Sequence, residues 1–191
     1  DAGAEINAFN ITGSTPLHFA ADKGHVSLIL WLISQGADPS VRNKDLFSPL
    51  HFLCTRGMAE VLEEITGTLN VMIDPNQVGK RNISLIHCSS EQGHANVVKV
   101  LVNLGGLVNY MDYDCKTALH YASIRGHSLT VKCLLEHGAA INTKDNSGNT
   151  SLAYACAGGY IELAKKLESY GADKNSRNRL GNTCLHSACL L

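Results

Sequence analysis

No apolar run in this 191-residue chain approaches membrane-spanning length. The run around Val26 to Ile33 is far too short to cross a bilayer, and no basic-then-apolar leader opens the chain. Charge of either sign is not in excess: 16 basic and 17 acidic residues leave a formal charge of −1. That balance argues against a general nucleic-acid or membrane-surface binder and leaves only a local patch open. There is no CxxC pair, no phosphate-cradling glycine loop, and no nucleophile elbow in the serine-rich stretch Ser84 to Ser90. Seven cysteines, at 54, 88, 115, 133, 156, 184 and 189, are an odd number set mostly in apolar surroundings. Secreted disulfide scaffolds are shorter and denser in cysteine, so reduced thiols in a cytosolic or nuclear compartment are expected. Asp1 is not a natural start, and upstream sequence is expected.

What the chain does have is a repeat. The segments Thr15-Pro16-Leu17-His18, Ser48-Pro49-Leu50-His51, Ser84-Leu85-Ile86-His87, Thr117-Ala118-Leu119-His120, Thr150-Ser151-Leu152-Ala153 and Thr183-Cys184-Leu185-His186 align. Their fourth positions, 18, 51, 87, 120, 153 and 186, step by 33 residues, with one step of 36. Gly24, Gly57, Gly93, Gly126 and Gly159 follow in phase, and Gly3, Gly36, Gly105, Gly138 and Gly171 precede in phase.

Each unit divides into the same physical parts. Asn10, Asn43, Asp112, Asp145 and Asn178 open a turn that Gly13, Gly148 and Gly181 complete in three copies. A short helix over 16–22 follows, with Thr15 as its cap and Pro16 where a missing amide proton is tolerated. A longer helix over 25–34 presents Val26, Ile29, Leu30 and Ile33 at helical spacing, and Gly36 suits the left-handed position beyond it. Neither helix pair buries its apolar side alone, so stacking makes one elongated core. Leu17, Leu50, Ile86, Leu119, Leu152 and Leu185 are read as core.

This pattern resembles ankyrin repeats over essentially the whole chain, which predicts an all-α solenoid of stacked helix-turn-helix units with projecting β-hairpins. The repeats are read as 10–42, 43–78, 79–111, 112–144 and 145–177, with partial repeats 1–9 and 178–191. The unit 43–78 departs from the pattern. It carries three extra residues before Asp74, and Gly67 with Asn70 interrupts its second helix. Either a bulged helix–loop or a longer helix with a shifted end accommodates them. The next turn, Gly79-Lys80-Arg81-Asn82, lacks both the acidic starter and the usual glycine.

Nine histidines and seven cysteines raise the question of zinc or catalysis. His18, His51, His87, His120 and His186 are repeat-position residues; the resemblance implies that each ring bonds to backbone of the adjoining hairpin. Zinc needs three or four converging ligands, and Cys88 beside His87, or Cys184 near His186 and Cys189, lacks a second pair in ligand spacing. No metal, cofactor or catalytic residue is expected in this chain, and any enzyme activity is assigned to sequence outside it.

The resemblance implies a binding scaffold whose hairpin tips and first-helix ends form a concave recognition surface. Its middle gathers Phe47, Ile83, Met111, Tyr113 and Ile124, the large apolar groups that interface centres favour. It also gathers Arg42, Lys44, Arg56, Lys80, Arg81, Lys116 and Arg125 against Asp45, Glu91 and Asp114. These twelve apolar and basic residues predict a groove for another protein or peptide, partly acidic with apolar anchors, bound by a monomer. The other readings are a spacer, a regulator of an attached enzyme in cis, and anion or single-stranded nucleic-acid binding by the basic groove.

Overall fold

The computed structural model describes residue 3 and residues 5–189. The outermost positions of the two partial units, 1, 2, 4, 190 and 191, lie outside them.

Five helix pairs follow one another: α1 (Pro16–Lys23) with α2 (Val26–Ser34), α3 (Pro49–Thr55) with α4 (Ala59–Gly67), α5 (Leu85–Glu91) with α6 (Ala95–Asn103), α7 (Ala118–Ile124) with α8 (Ser128–Glu136), and α9 (Ser151–Ala157) with α10 (Ile161–Ser169). A lone α11 (Cys184–Ala188) ends the series. First helices stack on first helices and second on second, which builds a solenoid. The local cause of each first helix is its cap. Thr15, Ser48, Ser84, Thr117 and Thr183 lie in extended conformation, and the histidine three residues on returns its ring to the cap backbone. At α9 the cap is Thr150, and Ala153 offers no ring to it.

The core is a single cluster running the length of the stack. Leu17, Leu50, Ile86, Leu119 and Leu152 are fully buried. Leu185 is not: it is 72% exposed, contrary to the reading of it as core. The leucine at this position needs a second helix of its own unit over it, and among the described residues α11 has none.

The unit with the insertion keeps a second helix of nine residues, as in the other four. The helix is not lengthened, and Gly67 is its last residue, not an interruption. The extra residues lie in the loop that follows, where Asn70 takes a left-handed conformation. The longer-helix alternative is therefore incorrect.

Loops on the far side are stapled between units by asparagines. Asn76 donates to the Gly105 carbonyl and accepts from the Leu107 amide, and Asn109 and Asn142 repeat the arrangement one and two units on. Ser40 stands at the equivalent place before the irregular loop. There the buried Gln77 side chain donates to the Ser40 carbonyl at 2.8 Å and bonds to Ser48 instead.

The hairpins are tight turns; among the described residues no strand forms, and the one β-bridge joins Val78 to Ser84. In most units the opening Asn or Asp accepts amides two and four residues on, as Asp112 does from Asp114 and Lys116 at 2.9 and 2.8 Å. The fourth turn position is left-handed throughout, and Leu46, Asn82 and Cys115 hold it where no glycine is present. Tips are tied in series by backbone bonds: Lys44 to Thr12, Tyr113 to Arg81, Asn146 to Asp114 and Arg179 to Ser147. Between Asp45 and Lys80 that bond is replaced by a side-chain ion pair at 3.0 Å.

Candidate functional site

The groove is built from two rows. The third residue of each first helix is the capping histidine, except in α9, where it is Ala153; the fourth is Phe19 in α1, Phe52 in α3, Cys88 in α5, Tyr121 in α7 and Tyr154 in α9. Past Phe19, each ring of this row meets the histidine of the preceding unit edge-on: Phe52 with His18 at 6.1 Å, Tyr121 with His87 at 5.4 Å, and Tyr154 with His120 at 6.0 Å. The two tyrosines also donate to the buried carboxylates of Asp112 and Asp145 that open their hairpins.

The third unit breaks both features together. Cys88 supplies no ring and Gly79 supplies no carboxylate. Phe47 swings into the vacated place, its ring 5.3 Å from His51. A Cβ on Gly79 would lie 2.5 Å from that ring, so glycine is required there by the close approach. The substitution leaves a pocket of about 530 Å³ between the second and third units. Its apolar wall is Phe47, Phe52, Ile83, Cys88 and Tyr121, and His51, Asp22, Thr55, Arg56, Glu91 and Gln92 complete its lining. Of the residues expected at the recognition surface, Phe47, Arg56 and Ile83 come together here. Ile124 is half-buried at the end of α7, and Met111 and Tyr113 are exposed on the hairpin side; none of the three lines this pocket. Sequence reasoning missed Phe52, Cys88 and Tyr121, although reading the fourth column of the aligned first helices finds all three.

The basic residues are more neutralised than a count of the strip suggests. Arg56 pairs with Asp22 at 3.3 Å, Lys80 with Asp45 at 3.0 Å, Arg81 with Asp114 at 2.6 Å and Arg125 with Glu91 at 2.9 Å. Lys116 lies 3.9 and 3.8 Å from Asp114 and Asp145. Except for the contact of Lys116 with Asp114, these pairs bridge neighbouring units. Apart from the Lys116 contact with the buried Asp145 carboxylate, they are largely solvent-exposed and add little stability, but they cancel charge locally. Arg42 and Lys44, both exposed, have no carboxylate partner among the described residues.

The histidine row has a structural chemistry. The rings of His18, His51, His87 and His120 accept the cap amide on Nδ1 at 3.0–3.1 Å, which places the proton on Nε2. His18 and His87 then donate to the carbonyls of Phe47 and Lys116, and His120 to those of Thr143 and Asn149. His51 is different: its Nε2 is buried without a partner. The Ile83 carbonyl, at the corresponding hairpin position, lies near enough to oppose the lowering of the ring's pKa but makes no well-formed hydrogen bond with it. Burial lowers the pKa of all four rings, His51 to about 4. Burial likewise pushes the Cys88 thiol up to about 12, opposed by its bond to Thr55, so it is a neutral wall and not a nucleophile. All seven cysteines are free thiols, and no group of three metal-ligating side chains converges among the described residues. No described helix is long and apolar enough to cross a membrane.

A family model described as ankyrin repeats in three copies matches residues 50–145 and 86–178, and a single ankyrin repeat model matches 12–44. The chain belongs to the ankyrin-repeat family. Among curated relatives, it is 30% identical over 123 residues to the transient receptor potential cation channel subfamily A member 1 of Drosophila melanogaster, covering 60% of this chain and 10% of the channel. It is 30% identical over 109 residues to NF-kappa-B inhibitor alpha of Sus scrofa, covering 56% of this chain and 35% of the inhibitor. The chain thus spans from a tenth to about a third of these relatives. Among solved structures, the ankyrin repeat domain of Bcl-3, a member of the IkappaB family, superposes with a TM-score of 0.81 at 24% identity, over 97% of this chain and 82% of that one.

Proposed function

We infer that this ankyrin-repeat chain is a protein-interaction module whose units run 10–42, 43–78, 79–111, 112–144 and 145–177, and that it binds its partner on the hairpin and first-helix face. The observation that carries this reading is the pocket of about 530 Å³ with an apolar wall at the centre of that face. Its size is that of ligand clefts, about 300–1,000 Å³. Phe47, Arg56 and Ile83 give it apolar anchors and a polar rim, the anatomy of an interaction hot spot. The likeness to NF-kappa-B inhibitor alpha, named for a protein it inhibits, supports a protein as ligand. A cytosolic or nuclear setting fits the seven free thiols. Pairing of Arg56, Lys80, Arg81, Lys116 and Arg125 leaves little free charge for phosphate, which disfavours nucleic acid.

The test is comparative affinity capture from cell extract. Ile83→Glu, which puts a charge into the pocket wall, is set beside Lys99→Glu on the exposed outer side of α6. Proteins held by the wild type and by Lys99→Glu but released by Ile83→Glu support the reading. Identical capture by all three overturns it.

A further inference from the structure

We propose that the pocket over Cys88 receives an aromatic side chain of the partner, and that a carboxylate within a few residues of that ring lies on Arg42 and Lys44. The proposal rests on the binding face inferred above and goes on to state the chemistry of the ligand.

Three observations converge on it. The first is the interrupted aromatic row. Phe52 and Tyr121 both line the pocket, and the residue between them in the row is Cys88. Phe47 takes the His51 side of that interval, and the volume left beside it is open, with Phe52 and Tyr121 as flanking ring systems suited to edge-on and offset packing. A ring from outside completes the series, whereas an aliphatic side chain forgoes the aromatic contacts.

The second is that the loss is paired. Where Tyr121 and Tyr154 stand, Asp112 and Asp145 hold their hydroxyls; where Cys88 stands, Gly79 replaces the acid as well. The place lacks both the tyrosine hydroxyl and its carboxylate; the polar groups left beside it are the buried, unpartnered Nε2 of His51 and the rim side chains of Asp22, Thr55, Arg56, Glu91 and Gln92. Phe47 covers only part of it, leaning on Gly79 and His51.

The third is charge. Of the seven bases on the strip, Arg42 and Lys44 alone have no ion pair among the described residues. They flank Asn43, whose amide donates to the Phe47 carbonyl at 2.9 Å and whose side chain accepts the Phe47 amide at 3.1 Å. Arg42 and Lys44 thus sit on either side of the residue that holds Phe47; neither lines the pocket, and the Lys44 stem lies beside Gly13 of the first hairpin. Arg81 and Arg125, by contrast, are already engaged by Asp114 and Glu91. An acidic group on the partner gains most at the Arg42 and Lys44 end.

The probe is a library of random 16-residue peptides displayed and selected on the wild-type chain, with the selected peptides synthesised for titration. Sequences sharing Phe, Tyr or Trp within a few residues of Asp or Glu are expected. Cys88→Tyr, which rebuilds the missing ring, should keep the helical signal and melting temperature while weakening binding at least tenfold. Arg42→Glu with Lys44→Glu should weaken it about three- to tenfold and more at low salt, and Arg81→Glu should have little effect. Should Cys88→Tyr fail to fold, the wild type with a selected peptide decides the matter: NMR contacts must join the peptide ring protons to the Ile83 methyls and the Phe52 ring. Selected motifs without an aromatic, undiminished binding by folded Cys88→Tyr, absence of those contacts, or selection of no peptide each overturns the proposal. None of these outcomes bears on the capture comparison of Ile83→Glu with Lys99→Glu, so the two readings fail separately.

Discussion

Acidification should weaken this stack well before its carboxylates titrate. His18, His51, His87 and His120 are buried with Nδ1 committed to a cap amide, so a second proton on the ring has no place without breaking that bond. Burial lowers all four pKa values, that of His51 from 6.5 to about 4. Unfolded histidines take up protons near pH 6.5, so below that the unfolded chain binds more protons than the folded one and stability falls with pH. The stabilisation is fully present above pH 6.5 and is lost as pH drops toward the folded value. His51 alone should lose roughly 1–1.5 kcal/mol between pH 7.5 and 5.5, and roughly 3 kcal/mol by pH 4, from the displacement between its two pKa values. The other three rings add with the same sign. Asp22, held low chiefly by its bond to Lys23 and then by Arg56, begins to contribute only near the ordinary carboxylate range, below this window. Urea denaturation at constant ionic strength at pH 7.5, 6.5 and 5.5, with NMR titration of the imidazole protons, measures the effect. A midpoint that holds or rises at pH 5.5, or ring protons of these four histidines that titrate at 6.5 in the folded protein, would refute the argument.

Two further outcomes follow from the row and the core. Ala153→His should raise stability by about 0.5–2 kcal/mol in urea denaturation, because the ring supplies the missing acceptor for the Thr150 cap and enters the small cavity of about 220 Å³ beside Ala153, Asn149 and Asn182. Destabilisation would show that this unit's cap is built differently. Leu119→Ala should cost about 2–5 kcal/mol, since its side chain is 1% exposed, whereas Leu185→Ala should stay within roughly 0.5 kcal/mol; equal losses would mean that Leu185 is covered in solution.

The sequence by itself determined the helices, their pairing and the direction of the core. A tetrapeptide that recurs six times, at steps of 33 residues with one of 36, places the cap and the core aliphatic residue of each unit and, in most units, the histidine and the glycine, and each of these acts on neighbours within a few residues. Phe47 and Ile83 were legible as apolar groups on the hairpin and first-helix face for the same reason. What only the tertiary structure decided depends on residues about a unit apart in the chain. Arg56 finds Asp22 and Arg125 finds Glu91, so positions that read as free positive charge are largely cancelled. Gly67 reads locally as a helix breaker, but tertiary stacking keeps α4 at nine residues and moves the insertion into the loop beyond. Leu185 is core by phase and exposed in space, because its burial requires a helix that does not follow α11 among the described residues. The pocket itself arises from the conjunction of Gly79, Cys88 and Phe47. Each is an ordinary residue in its own segment; together, with α5 stacked between α3 and α7, they open the one interval in an otherwise continuous aromatic row from Phe19 to Tyr154.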